Sequence, residues 1–212
     1  MRIFILFVSA IILQVLNVYG QSDHQAIKIL DSFSTKALNA PAVSMRFQLV
    51  TADQIENSND SLTGFIILSK DKYKLDLTDN IIWFNGVTAW SYLPAEKEVT
   101  ITRADKKDHS FQNRPSEIFT LYKKGYKCRL IEERSDLYII DLYPDDLNSD
   151  LIRVRLAIEN PQLNLKSLEY KKKDGICITL YVKEYDLKYK PATGSFIFRT
   201  EEFKGVEVID MR

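Results

Sequence analysis

Ile81-Ile82-Trp83-Phe84-Asn85-Gly86-Val87-Thr88-Ala89-Trp90-Ser91-Tyr92-Leu93 decides the fold. Two apolar, aromatic-rich runs flank Asn-Gly, a dipeptide that enters the left-handed backbone region at little cost. The reading is a hairpin with a two-residue type I′ turn at Asn85-Gly86. Opposed residues of a hairpin share a face, so Ile81, Trp83, Trp90 and Tyr92 fall together on one side. Residues 81–84 are apolar on both faces, and so are residues 65–68. Both segments are expected to be central strands covered from two sides.

Alternation continues in both directions. Val43, Met45, Phe47 and Leu49 alternate with Ser44, Arg46 and Gln48. Val99 and Ile101 alternate with Glu98, Thr100 and Thr102, and Ile152, Val154, Leu156 and Ile158 with Arg153 and Arg155. Period two means one buried and one wet face, the pattern of an antiparallel sheet. A second turn lies at Lys173-Asp174-Gly175. A three-residue loop with Gly175 left-handed gathers Leu168, Tyr170, Ile176, Ile178, Leu180 and Val182 on one face. It leaves Glu169, Lys171, Cys177 and Thr179 on the other, with Lys172 a misfit at the tip. A two-residue loop would oppose lysine to isoleucine, so the apolar face selects the longer one. Cys177 then lies among polar residues. Cys128 alternates with Tyr126 and Leu130, so the only two cysteines are expected on opposite faces, too poorly aimed to bridge.

Two helices are expected. Ser22 and Gln25 form a capping box, after which Ala26, Ile27, Leu30, Phe33 and Ala37 make an apolar stripe and Lys28, Ser32 and Lys36 face water. Asn39 and Pro41 end it. The second spans 115–124, with Pro115 in the first turn, a stripe of Ile118, Leu121 and Tyr122, and Gly125 as the stop. The expected architecture is α+β: one curved antiparallel sheet carrying two or three short helices.

Residues 1–20 read as a cleavable export signal, with Arg2 before an apolar run and Val18-Tyr19-Gly20 before a cut at Gln21. The run is short for a membrane span. The rest, 21–212, reads as one domain of expected periplasmic location. Lys plus Arg and Asp plus Glu are 29 each, so no basic excess points to nucleic acid. Asn59-Asp60-Ser61 is a glycosylation triplet that matters only in a eukaryotic secretory route.

No nucleophile elbow, phosphate loop, dinucleotide fingerprint or C-x-x-C occurs in the sequence. His24 and His109 lack metal-ligand spacing. Residues 105–108 and Asp145-Asp146 read as solvated turns, and residues 171–173 as a solubilising hairpin tip. No enzyme, metal or cofactor is expected.

The order of motifs resembles the LolA family of lipoprotein carriers. The resemblance rests on the opening helix, Gly64-Phe65-Ile66-Ile67-Leu68, Lys72-Tyr73-Lys74-Leu75, the hairpin at Asn85-Gly86 with Trp90 and Tyr92, Glu98-Val99-Thr100-Ile101, Leu142-Tyr143-Pro144, Asp174-Gly175 and the close at Gly205-Val206-Glu207-Val208-Ile209-Asp210. It implies an incomplete barrel whose apolar concave face is lidded by helices. It implies acylated lipoproteins as cargo, loading by an inner-membrane ABC-type release complex, and delivery to an outer-membrane acceptor or to that membrane directly. A monomer is expected. The family's Arg-Pro latch is replaced by Lys70-Asp71, and lysine offers a point charge in place of a planar fork. Lys70 and Tyr73 are therefore the candidate lid contacts. The candidate acyl-chain lining is Ile27, Leu30, Phe33, Phe47, Phe65, Ile67, Trp83, Trp90 and Tyr92, taking the Trp90 side of the hairpin as inward. Each of these aromatics would also serve as ordinary core. A lipid- or lipoprotein-sensing domain of the same fold is the alternative reading.

Overall fold

The structure is a computed structural model that describes residues 23–103 and 114–212. Residues 1–20, expected to be an export signal, and Ser22, His109 and residues 105–108 lie outside the described residues.

Helix α1 spans His24–Leu38. Its N-cap is Asp23, whose carboxylate accepts the backbone N–H groups of Gln25 and Ala26. Those are orphan donors of the first turn, which a short acidic side chain satisfies well. Asn39 is the C-cap, so the helix stops where the sequence places the stop. Ala26, Leu30, Phe33 and Ala37 are buried and Ile27 is half-buried.

Strands follow as β1 (Val43–Asp53), β2 (Ser58–Ser69), β3 (Lys72–Leu77), β4 (Ile81–Phe84), β5 (Thr88–Leu93) and β6 (Glu98–Arg103). After residues 115–124 come β7 (Tyr126–Glu133), β8 (Leu137–Pro144), β9 (Leu151–Glu159), β10 (Leu165–Lys172), β11 (Ile176–Asp186) and β12 (Glu207–Asp210). All join one sheet in the order β12-β6-β5-β4-β3-β2-β1-β11-β10-β9-β8-β7. Every pairing is antiparallel except β12 with β6, which is parallel. The long-range closure is β1 with β11, from Ser44↔Asp186 to Asp53↔Ile176.

One face of β7 through β4 meets α1. Cys128, Leu142, Leu156, Leu168, Leu180, Met45, Ile66, Leu75 and Ile82 share one core with Leu30 and Phe33. At about 4.8 Å per strand those strands would span far more than the 10–12 Å width of one helix if laid flat. The sheet is open and curved, and α1 lies in its concavity.

The late hairpin has the expected register, with Leu168↔Leu180, Tyr170↔Ile178 and Lys171↔Cys177, and Gly175 has φ 86°. Cys128 is buried on the concave face and Cys177 half-buried on the convex one, both as thiols.

Two expectations are corrected. The β4–β5 turn is not type I′ at Asn85-Gly86. Trp83 pairs with Trp90 and Phe84 with Ala89, so Gly86 and Val87 are central, and only Gly86 (φ 98°) is left-handed. The Asn85 side-chain oxygen accepts the N–H groups of Val87 and Thr88 at 3.0 and 2.9 Å, an Asx turn that competes with the Asn-Gly geometry. The strands slide by one residue each, so the face-sharing of Ile81, Trp83, Trp90 and Tyr92 survives. The second correction concerns residues 115–124, which form two 3-10 turns, Pro115–Phe119 and Leu121–Lys123. Among the described residues α1 is the one α-helix. Thr120 sits at φ −128° and breaks the segment, and a three-residue repeat lets Phe119 and Tyr122 both point into the core.

Candidate ligand cavity

The 3-10 segment lies across the concave face beside α1. Phe119 packs on Phe33 with ring centroids 5.6 Å apart. The Tyr122 hydroxyl donates to Asp31 Oδ1 at 2.5 Å, fastening the segment to α1. Asp23, at the start of α1, grips the edge strand: its backbone N–H donates to the Cys128 carbonyl at 2.9 Å, and its Oδ2 accepts the Leu130 N–H at 3.3 Å.

Where the 3-10 segment spans β7, β9 and β10, a cavity of about 660 Å³ remains. Ile118, Leu121, Leu151, Tyr126 and Tyr170 supply its apolar wall, and Arg114, Glu117, Lys123 and Lys124 its charged rim. Burial raises the pKa of both tyrosines. Tyr170 is pushed up to about 12, with lesser contributions from Tyr126 and Glu117. Tyr126 is raised by burial and then by Asp150. Both phenols are neutral donors near pH 7. The volume lies within the roughly 300–1,000 Å³ of ordinary small-molecule sites, and the lining is of the usual apolar kind with a few polar groups.

The sequence-predicted lining does not meet in this cavity. Leu30, Phe33 and Phe47 are buried in the main core under α1, and Ile27 is half-buried against it. Trp83, Trp90 and Tyr92 lie on the opposite, convex face. There they form a second core with Val99, Phe198, Phe203 and Val206. Phe198 and Phe203 stack at 4.6 Å and reach Trp83 and Tyr92 edge-on or tilted. The choice of the Trp90 side as inward is thus corrected: Ile82 and Phe84 face α1, and the C-terminal segment covers the tryptophans. Phe65 also lies on the convex face, against Tyr189 and beneath Arg46, and Ile67 is buried on that same side by register. Tyr73 is core, 5.3 Å from Phe84 between ring centroids. Lys70 stands exposed in the β2–β3 turn at φ 56°. The tie between lid elements is Tyr122–Asp31, which the sequence reading missed.

The convex face of β8 to β11 is ionic. Asp141 is buried and accepts Arg155 Nε and Nη2 at 2.6 and 2.8 Å, with Arg153 at 3.4 Å and Tyr143 at 3.2 Å. Burial alone would raise the Asp141 pKa. The Arg155 hydrogen bonds and charge outweigh it and hold the carboxyl below its ordinary range. Arg153 reaches on to Glu169 at 2.8 Å. This network is fully engaged in ion pairs, so it reads as structure. Among the described residues no group of three or more His, Cys, Asp or Glu could hold a metal ion. Among the same residues no helix is long and apolar enough to cross a membrane.

The site is thus a concave sheet face covered by two elements tied to each other, with an apolar cavity beneath one of them. The sequence profile of the outer membrane lipoprotein carrier protein LolA matches residues 16–172. The chain belongs to the LolA family. The match ends with β10, so β11, the C-terminal segment and β12 lie beyond it. No curated protein is similar enough to count as a relative. Among solved structures, an uncharacterized conserved protein from Thermus thermophilus is similar at a TM-score of 0.59 and 12% identity, covering 88% of this chain and 99% of that one. That likeness supports the fold. A LolA superfamily protein from Nitrosomonas europaea matches at TM-score 0.43 and 14% identity, covering 82% and 97%. A putative outer membrane lipoprotein-sorting protein domain from Vibrio parahaemolyticus matches at 0.44 and 11%, covering 82% and 96%.

Proposed function

We propose that this LolA-family protein is an exported carrier that shields the acyl chains of lipoproteins in the cavity under residues 115–124. The observation that supports it best is the apolar wall of Ile118, Leu121, Leu151, Tyr126 and Tyr170, roofed by a segment that the Tyr122–Asp31 hydrogen bond ties to α1. Burying each methylene of a chain contributes about 0.8 kcal/mol, so even part of an acyl chain strongly favours such a wall over water. In this reading residues 1–20 are removed at Gly20/Gln21, and residues 21–212 act as a periplasmic monomer. An inner-membrane ABC-type complex loads the cargo, and an outer-membrane acceptor or that membrane itself receives it. No step needs a catalytic group.

Native mass spectrometry of protein purified from the cell envelope tests the reading. A carrier arrives with diacylglyceryl-type mass adducts that leave on addition of detergent. Protein that is adduct-free and also fails to extract lipoprotein from inner-membrane vesicles contradicts it.

A further inference from the structure

We infer that the cavity under residues 115–124 selects amphiphiles with an anionic head, phosphate or carboxylate, seated at Lys123 and Lys124. The inference rests on the acyl-chain reading of that cavity. Its wall is apolar, but among the described residues its charged lining is one-sided, with Arg114, Lys123 and Lys124 against Glu117. Arg114 is spoken for, since its Nη1 donates to Glu117 Oε1 at 2.9 Å. The surplus is therefore the two lysines. Both are exposed, and neither forms an ion pair with a described residue. Lys123 is steadied by its ammonium lying 5.8 Å over the Tyr122 ring. Nearby Asp150 already pairs with Lys172 at 3.6 Å. The whole chain has a formal net charge of zero, so this excess is a local feature of the rim and not part of a general positive field.

An amphiphile that enters chain-first leaves its head at the mouth. Two hydrated lysine ammoniums there attract an anion without having to be desolvated, and their flexible stems fit phosphate or carboxylate alike. Inside the mouth, Tyr126 and Tyr170 keep their protons, because burial raises both pKa values, and offer O–H donors to ester or head-group oxygens. Cationic heads are repelled, and zwitterionic heads gain little.

The test displaces an uncharged fluorescent acyl ester from the mature chain with dioctanoyl phosphatidylglycerol, dioctanoyl phosphatidylcholine, decanoate or inorganic phosphate. Two near-surface charge contacts predict that phosphatidylglycerol displaces at about tenfold lower concentration than phosphatidylcholine. Decanoate should displace more strongly than decanol, and inorganic phosphate alone should not displace. The double variant Lys123→Glu/Lys124→Glu should bind the uncharged probe like the parent and lose the preference. Equal potency of the two phospholipids, or a preference that survives charge reversal, overturns the inference and leaves the carrier reading standing. A parent that does not bind the uncharged probe overturns both.

Discussion

Tyr122 and Asp31, far apart in sequence, meet in a 2.5 Å hydrogen bond that closes the 3-10 segment onto α1. Both partners sit on elements that cover the concave face, so in the proposed carrier reading the bond would govern access to that face. Tyr122→Phe keeps the ring beside the core and removes only the donor. The expected loss is about 0.5–1.5 kcal/mol in urea unfolding. Amide exchange should rise over residues 115–124, with the sheet unchanged. A loss spread evenly over β7 to β11 would mean the bond is ordinary core.

Alkaline pH should weaken the fold in a defined window. Burial raises the pKa of Tyr185 and of Tyr122, with Asp31 adding to the latter, and it takes Tyr170 to about 12. A raised folded pKa means the folded state holds its proton longer than the unfolded one. That stability is complete below the ordinary tyrosine value of about 10 and is lost as pH rises through the folded values, at up to about 1.4 kcal/mol per pH unit per residue. Tyr185 adds a second handle, because its buried hydroxyl has no hydrogen-bond partner among the described residues. Tyr185→Phe should be neutral or stabilising at pH 7 and should flatten the decline above pH 10. Unfolding curves for parent and variant from pH 8 to 11.5 would show an unchanged slope if Tyr185 were solvated.

Gly64 lies opposite Phe47 in the β1–β2 ladder, and the ring occupies the space a side chain would need. An added Cβ would stand 2.5 Å from Phe47 Cζ and 2.9 Å from Leu77 Cδ2. Gly64→Ala should therefore cost about 1–3 kcal/mol by overpacking. The double variant Gly64→Ala/Phe47→Leu should recover part of it. Thermal unfolding of the two variants reads this directly, and a neutral Gly64→Ala would show that Phe47 moves freely.

The ladder was legible where one face of a strand is apolar and the other polar. Leu168, Tyr170, Ile178 and Leu180 against Glu169, Lys171, Cys177 and Thr179 set both register and loop, and placed the cysteines on opposite sides. The β4–β5 hairpin carries no such asymmetry. Ile82 and Phe84 suit a core as well as Trp83 and Trp90 do, so the inward face depends on what covers each side. That is settled by Phe198 and Phe203, more than a hundred residues downstream, in a segment without periodicity. The cavity was missed for a related reason. Tyr126 and Tyr170 were visible as members of apolar alternations, but only the fold brings them together with Ile118, Leu121 and Leu151 around one cavity. Residues 115–124 misled because proline and a stripe suit an α-helix and a 3-10 turn equally.

The central claim is that acyl chains sit under residues 115–124, on the concave side, and not against the convex tryptophans. Photolabelling with an acyl ester that carries a terminal diazirine, followed by peptide mapping, tests it most directly. The account predicts carbene adducts on Ile118, Leu121, Tyr126, Leu151 or Tyr170, reduced in Leu151→Trp, whose larger ring narrows the cavity. Adducts confined to Trp83, Trp90, Phe198 or Phe203, or labelling that Leu151→Trp does not diminish, would contradict it.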